Sequence, residues 1–274
     1  MELKGKRAVV TGGAMGIGYS TVLRLLNEGC VVTIWDINPE KLAEAQQALN
    51  SKGIIFAHQC DVTDKNRVYE LGEIAVMEMG GVDILVNNAG YVASGYFLEN
   101  TDEQWEKTIS VNLTSFIYTI RAFLPQMNER NSGHIVNISS ASSVIGVPGL
   151  AVYTASKWAV WGLTESLRFE SKKLGKKGVK FSTVHPSYIK TGMFEGAKIP
   201  FPGGLIVPLV KNHDVIAKTI VERILKRGAL SPKKPWTVNL AMMMRGFLPD
   251  PIFQKMIELL KISDSMKTFK GREK

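Results

Sequence analysis

Tyr153 and Lys157 are the residues of this 274-residue chain whose types and spacing point most directly to chemistry. Four apart in a helical pattern, they share one face. A phenol titrates near about 10 and is a poor base at neutrality. An ammonium about 4 Å away attracts its phenolate by roughly 4 kcal/mol at an effective dielectric of about 20, before desolvation is subtracted. Such a pair can be tuned to move one proton. Tyr and Lys also fall four apart on many helices without consequence, so the surroundings must decide.

The second chemical signal is the turn Thr11-Gly12-Gly13-Ala14-Met15-Gly16-Ile17-Gly18, which follows a strand-like run and opens an amphipathic helix. Glycines let backbone approach a pyrophosphate, and the helix start offers unpaired N–H groups. The glycines fall at Gly12, Gly16 and Gly18 rather than in the usual G-x-G-x-x-G order, and a ligand-free tight turn is the plain alternative. Asp36 lies eighteen residues after Gly18, near the roughly 20-residue offset of a carboxylate that holds adenosine ribose hydroxyls. Its charge repels a 2′-phosphate. Ile37 and Asn38 follow it and Met15 precedes Gly16, so no basic residue invites NADP(H) and the expected cofactor is NAD(H). An acidic helix cap before Pro39 is the alternative for Asp36. Asp61, with its neighbour Val62, joins the candidate dinucleotide contacts; Asp61 could bond adenine or merely cap a turn.

These residues need a scaffold, and the patterning supplies one. Strand-like runs at 7–11, 31–35, 54–58, 83–86, 134–138 and 179–184 alternate with helical patterns at 16–27, 39–51, 65–79, 103–127 and 151–174. Strands apolar on both faces and alternating with helices imply an α/β doubly wound parallel sheet, Rossmann-like, covered on both sides. Such sheets bind ligands beyond the carboxyl ends of their strands. One domain over 1–274 is expected, with a substrate-side insertion at 187–235 containing a helix near 213–226, and a C-terminal cap or interface extension at 236–274.

Composition narrows the partners. The net charge is +9, and from Leu205 onward 14 Lys or Arg face 6 Asp or Glu, so the excess is C-terminal. No aromatic-interleaved basic motif accompanies it, and a nucleic-acid partner is not expected. Cys30 and Cys60 lack a partner motif and the four histidines lack ligand spacing, so neither a disulfide nor a metal site is expected. The start of the chain runs into a strand without a secretory stretch, and no run is long and apolar enough to span a membrane, which gives a cytoplasmic expectation.

Taken together, Thr11-Gly12-x-x-x-Gly16-Ile17-Gly18, Asn87-Asn88-Ala89-Gly90, Asn112, Ser140, Tyr153-x-x-x-Lys157 and Pro186-Ser187 resemble, in order and spacing, the motif series of the short-chain dehydrogenase/reductase superfamily over about residues 5–195. The resemblance implies an enzyme that interconverts an alcohol and a carbonyl. It makes Tyr153 the proton donor or acceptor, and gives Lys157 the tasks of lowering the Tyr153 pKa and holding the nicotinamide ribose. It assigns Ser140, thirteen residues before Tyr153, to the substrate oxygen, with Ser139 as the alternative, and has Asn112 link Lys157 through water to a relay. It also implies dinucleotide contacts from Met15, Ile17, Asn88, Pro186, Ile189 and Thr191, with Asn87 tying strands together. Ser187 stands where many members carry glycine.

Residues 194–210 combine Phe194, Ile199, Phe201, Leu205, Ile206 and Val207 with little charge in the place where the family puts its substrate lid, which suits a steroid, retinoid-like or fatty substrate, ordinary packing of a long loop being the alternative. The tail from Ala241 to Leu260, rich in Met and flanked by Arg245, Lys255 and Lys261, reads as a pocket cap, an oligomer contact or a peripheral membrane foot. By the same resemblance the helices around Asn112 and Tyr153 pair between subunits, with Trp158 and Trp161 lining an apolar interface, and a homodimer or homotetramer is expected. Within the same chemistry the alternative is a 3-oxoacyl-thioester reductase; outside it, a dinucleotide-sensing protein without turnover.

Overall fold

The computed structural model describes residues 1–269. Six strands form where the apolar runs predict them: β1 (Arg7–Thr11), β2 (Val31–Asp36), β3 (Ile55–Gln59), β4 (Ile84–Asn87), β5 (Gly133–Ile138) and β6 (Val179–Pro186). A seventh, β7 (Lys233–Lys234), lies between Pro232 and Pro235, where no strand is expected; it pairs with His185 and Pro186 at the end of β6. The sheet is parallel throughout, in the order β3-β2-β1-β4-β5-β6-β7. The chain winds outward from β1 to β3, then returns to pair β4 on the other side of β1. The carboxyl ends of β1 and β4 therefore flank the crevice where a doubly wound sheet takes its ligand.

Successive strand residues feed opposite faces, as the two-sided apolar pattern requires. Val10, Ile34, Val86 and Val136 pack with α1 (Gly16–Asn27) and α8 (His213–Lys218), whereas Val9, Trp35, Leu85 and Ile135 pack with α3 (Lys65–Met79) and α5 (Ser115–Glu129). The two layers make one domain. Asn38 caps α2 (Pro39–Leu49) by accepting from Lys41 N at 2.8 Å, so Asp36 is not that helix's cap.

The single helix expected over 103–127 is three pieces. α4 (Asp102–Ile109) runs into a π-helical stretch, Ser110–Thr114, before α5. A π turn swings its side chains off the α-helical register and recurs at functional sites; Asn112 sits within it. α6 (Ala151–Lys173) carries Tyr153 and Lys157 on its first turns. Beyond β6 come α7 (Gly203–Ile206), α8 continuing into π-helical Thr219–Lys226, then α9 (Val238–Phe247) and α10 (Asp250–Leu259). The last five residues of the expected cap extension, 270–274, lie outside the described residues.

Candidate active site

The glycine turn packs directly on the loop after β4. Gly12 has φ +61, and a Cβ there would stand 3.0 Å from both Ala89 Cα and Asn88 Nδ2. A Cβ on Gly18 would overlap the Gly12 carbonyl oxygen. The unusual glycine spacing therefore answers to two close approaches within the turn. Asn88 locks the turn from the other side, donating from Nδ2 to Thr11 O at 3.0 Å and Gly12 O at 2.9 Å, while Thr11 Oγ1 accepts from Asn88 N and Ala89 N. Asn87 ties elements as expected: its Nδ2 donates to Asn137 Oδ1 and its Oδ1 accepts from Thr119.

Asp36 is buried at the end of β2, accepting from Ala14 N at 3.1 Å and Asn38 N at 3.2 Å. Asp61 accepts from Thr63 N and Oγ1, a local turn of the plainer kind foreseen for it, and still faces the same crevice.

Around Tyr153 the polar groups divide their tasks. Ser139 is buried at the cavity wall and its hydroxyl proton is engaged on Lys157 O at 2.9 Å. Ser140 Oγ accepts from Ser142 N at 3.1 Å, leaving its proton for the crevice. Lys157 is buried, with Nζ donating to Ile138 O at 3.1 Å and standing 5.6 Å from the centre of the Tyr153 ring. Asn112 does not line the crevice. Its Oδ1 accepts from Tyr91 N at 2.8 Å, and its Nδ2 donates to Tyr91 O and to Ser156 Oγ, so it staples the loop after β4 to α6 one residue from Lys157.

The electrostatics qualify the simple picture of a lysine-activated phenol. Burial raises the Tyr153 pKa well above its ordinary value; a hydrogen bond from Ser140 opposes that rise and neighbouring Tyr188 adds to it. Burial also depresses Lys157, to about 7. In the protein alone the phenol is held protonated, ready to donate.

One cavity of about 470 Å³ joins these parts. Its wall includes Gly12, Met15, Gly16, Ile17, Asp36, Asp61, Val62 and Asn88 at one end, and Ser140, Tyr153, Lys157, Pro186, Ile189 and Thr191 at the other. Of the sequence candidates only Gly18 and Asn112 stand behind the wall, the first allowing the turn its shape and the second bracing α6. The glycine cradle, which presents Gly12 and Gly16 to the cavity without side chains and has the buried Asp36 carboxylate beside it, fits a dinucleotide.

Sequence reasoning missed the far wall. Ile145, Val147 and Leu150, just before α6, join Tyr188 and Phe194 there; Phe194 stands edge-on to both Tyr153 and Tyr188 at 5.4 and 5.5 Å. The apolar run 144–150 immediately upstream of Tyr153 was the available signal. Val238, Ala241, Ile262 and Ser265 come from the C-terminal region, and Tyr188 Oη meets Ser265 Oγ at 2.9 Å. His213, at the start of α8, also reaches the cavity, near Gly16 and Gly192, with no local pattern to announce it. The apolar run 194–207 divides: Phe194, Ile199 and Val207 face inward, whereas Phe201 and Leu205 are exposed. Trp158 and Trp161 turn toward the serine segment rather than simply outward, Trp158 donating to Ser142 O at 2.6 Å and Trp161 packing on His185.

A doubly wound sheet with a glycine cradle at its switch point and a buried Tyr–Lys pair beside Ser140 across one cavity defines a dinucleotide-dependent oxidoreductase. The chain belongs to the short-chain dehydrogenase family, whose pattern, described as "short chain dehydrogenase", matches residues 6–199. It is an oxidoreductase acting on CH–OH groups with a nicotinamide dinucleotide. It is 35% identical to human "Epidermal retinol dehydrogenase 2" over 100% of this chain and 88% of that protein. It is 31% identical to human "17-beta-hydroxysteroid dehydrogenase 13", covering 91% of this chain and 81% of that one. A short-chain dehydrogenase/reductase from Burkholderia phymatum, solved in complex with NAD, superposes with a TM-score of 0.81 at 25% identity, covering 93% of this chain and 96% of its own.

Proposed function

We propose that the protein interconverts a bulky apolar alcohol, of the retinoid, steroid or fatty type, and its carbonyl with NAD(H), using Tyr153 as acid/base. The observation that carries this reading is the single cavity joining the Asp36 cradle to Tyr153, Ser140 and an apolar far wall. When bound, the oxidised nicotinamide supplies the acceptor for the alcohol's two electrons and a positive charge beside the phenol. Ser140 and Tyr153 converge on the substrate oxygen as charge develops there. In reduction the protonated Tyr153 donates its proton to that oxygen; in oxidation it takes the proton back. Lys157, when cationic, favours the phenolate and holds the nicotinamide ribose. A water-borne relay past Asn112 belongs to the same reading, supported by the position of the π-helical turn beside Ser156. The apolar wall excludes bulk water from the transfer.

NAD(H) is favoured by Asp36, whose neighbours Ile37 and Asn38, with Met15 of the glycine turn, line the cavity beside it and carry no positive charge to meet a 2′-phosphate. The same feature argues against a 3-oxoacyl-thioester reductase using NADPH. The test is Tyr153→Phe. Turnover of retinol should fall by about 10²–10⁴, with NADH affinity by fluorescence titration held within about twofold; substantial residual turnover sinks the mechanism.

The region from 236 onward caps the pocket in this reading, since Val238, Ala241, Ile262 and Ser265 contribute to its wall. A second role is supported by the opposite surface. Phe247, Leu259, Met243 and Ile252 on α9 and α10 are exposed beside Arg245, Lys255 and Lys261. The exposed Leu205 of α7 joins them through the Gly203 N to Leu260 O hydrogen bond. No helix of the described residues is long and apolar enough to cross a membrane. An apolar face with a cationic rim suits peripheral contact with an anionic bilayer. Sedimentation with phosphatidylserine-containing liposomes should carry the protein down, and Phe247→Glu with Leu259→Glu should release it; unchanged sedimentation of that variant contradicts the foot.

A further inference from the structure

Behind the serine segment lies a polar network that the acid–base reading leaves without a task. His185, next to last in β6, is fully buried, its ring edge-on to Trp161 with centroids 4.9 Å apart. Its Nδ1 stands 2.8 Å from Ser143 Oγ and 3.3 Å from Ser140 O. Its Nε2 stands 2.8 Å from Thr183 Oγ1, which lies 3.1 Å from Ser231 Oγ. Ser143 Oγ in turn donates to Ser140 O at 2.6 Å.

The donors in this chain can be ordered. Ser143 has one hydroxyl proton, and it is engaged on Ser140 O, so its oxygen accepts from the imidazole and Nδ1 carries the hydrogen. Nε2 is then bare and accepts from Thr183, whose oxygen is left to accept from Ser231. Burial and the nearby Lys233 cation keep the ring neutral, its pKa pushed down to about 3. Lys233 itself is buried, over the Trp161 ring at 5.0 Å. On its other side the segment Ala141–Ser143 is held by Trp158 Nε1 on Ser142 O. The residue gripped between these supports is Ser140.

We propose that His185 is a positioning residue for the reaction: through Ser143 its Nδ1–H fixes the Ser140 carbonyl, and so aims the Ser140 hydroxyl at the oxygen that Tyr153 protonates. This rests on the Ser140 assignment above. A displacement of about 1 Å in such a group can lower turnover by on the order of a hundredfold, so an oriented hydrogen-bond chain behind it has a measurable function.

Three variants separate aim from packing, because asparagine places an N–H near the Nδ1 position, glutamine near the Nε2 position, and phenylalanine only fills space. With retinol and NAD⁺, His185→Asn should keep kcat within about threefold, whereas His185→Gln and His185→Phe should lose at least about tenfold, all with NADH affinity unchanged. Ser143→Ala should match His185→Phe, and the double variant should be no slower than either single. A packing role gives the reverse order, with phenylalanine best and asparagine worst; that order, or additive losses, overturns the proposal. Nitrogen-15 correlation of the imidazole in the unaltered protein and in Ser143→Ala reports the tautomer without any substrate, and an Nε2–H form in the unaltered protein also overturns it. Ser140→Ala distinguishes the two levels: if it keeps full activity the Ser140 assignment fails, and if it loses activity while His185→Phe does not, only the positioning role fails.

Discussion

A lysine buried against a backbone carbonyl is costly to keep charged, and Lys157 shows the cost directly. Its pKa is depressed from 10.5 to about 7, so the unfolded chain binds this proton more tightly than the fold does. Stability therefore rises with pH between about 7 and 10.5 and carries the full penalty below about 7. Lys157→Met should stabilise the protein at pH 7 by on the order of a few kcal/mol, with the advantage shrinking as the pH rises toward 10; a pH-independent difference in thermal melting contradicts this. Asp36 carries the other residue-scale prediction. Asp36→Ala should lower the NAD over NADP ratio of kcat/KM by at least about tenfold, on the order of 1.4 kcal/mol, whereas a mere brace for Ala14 N and Asn38 N would lower the melting temperature and leave the ratio alone. At this scale the sequence was informative for residue types and their spacing, not for their partners. That Ser139 is tied to Lys157 O while Ser140 keeps its proton for the cavity depends on which way successive residues point beyond β5, and no local pattern records that.

At the scale of elements, β1 to β6 and α1, α3 and α6 were legible because each carries an apolar period long enough to set its own boundaries within a residue or two. The expected helix over 103–127 divides because Ser110–Thr114 takes π geometry, in which the Asn112 side chain is bonded to Tyr91 and Ser156 outside the helix. Nothing in the period of the sequence marks that turn. β7 was illegible for a different reason: two lysines between prolines form a strand only because the end of β6 offers them a partner. In the tail, the Met-rich run announced its apolar character but not its two helices. α9 and α10 are set by what Val238, Phe253 and Ile257 bury against, including Ile145 and Ile199 from distant segments. The same helices leave Arg245 stacked on both Trp158 and Phe253, at 5.0 and 5.4 Å, so the C-terminal region is fastened to α6 itself.

For the whole molecule, the switch point of the sheet and the cap meet over one cavity, and the placement of the glycine cradle against Tyr153 follows from winding order rather than from any one motif. Most of the C-terminal charge excess falls before α9, where seven Lys or Arg face two Asp or Glu over 205–237, so the exposed apolar faces of α9 and α10 are set off by individual cations rather than by the net charge. The cavity is proposed to turn over apolar alcohols with NAD(H). The measurement that addresses it most directly is steady-state kinetics on alcohols and their carbonyls of increasing apolar size, from ethanol through a medium-chain secondary alcohol to a hydroxysteroid and retinol, each with NAD(H) and NADP(H), beside a 3-oxoacyl thioester. kcat/KM should rise with apolar size and be larger with NAD(H). Tight NADH binding with no turnover of any alcohol or carbonyl, or turnover of the thioester alone with NADPH, would contradict it.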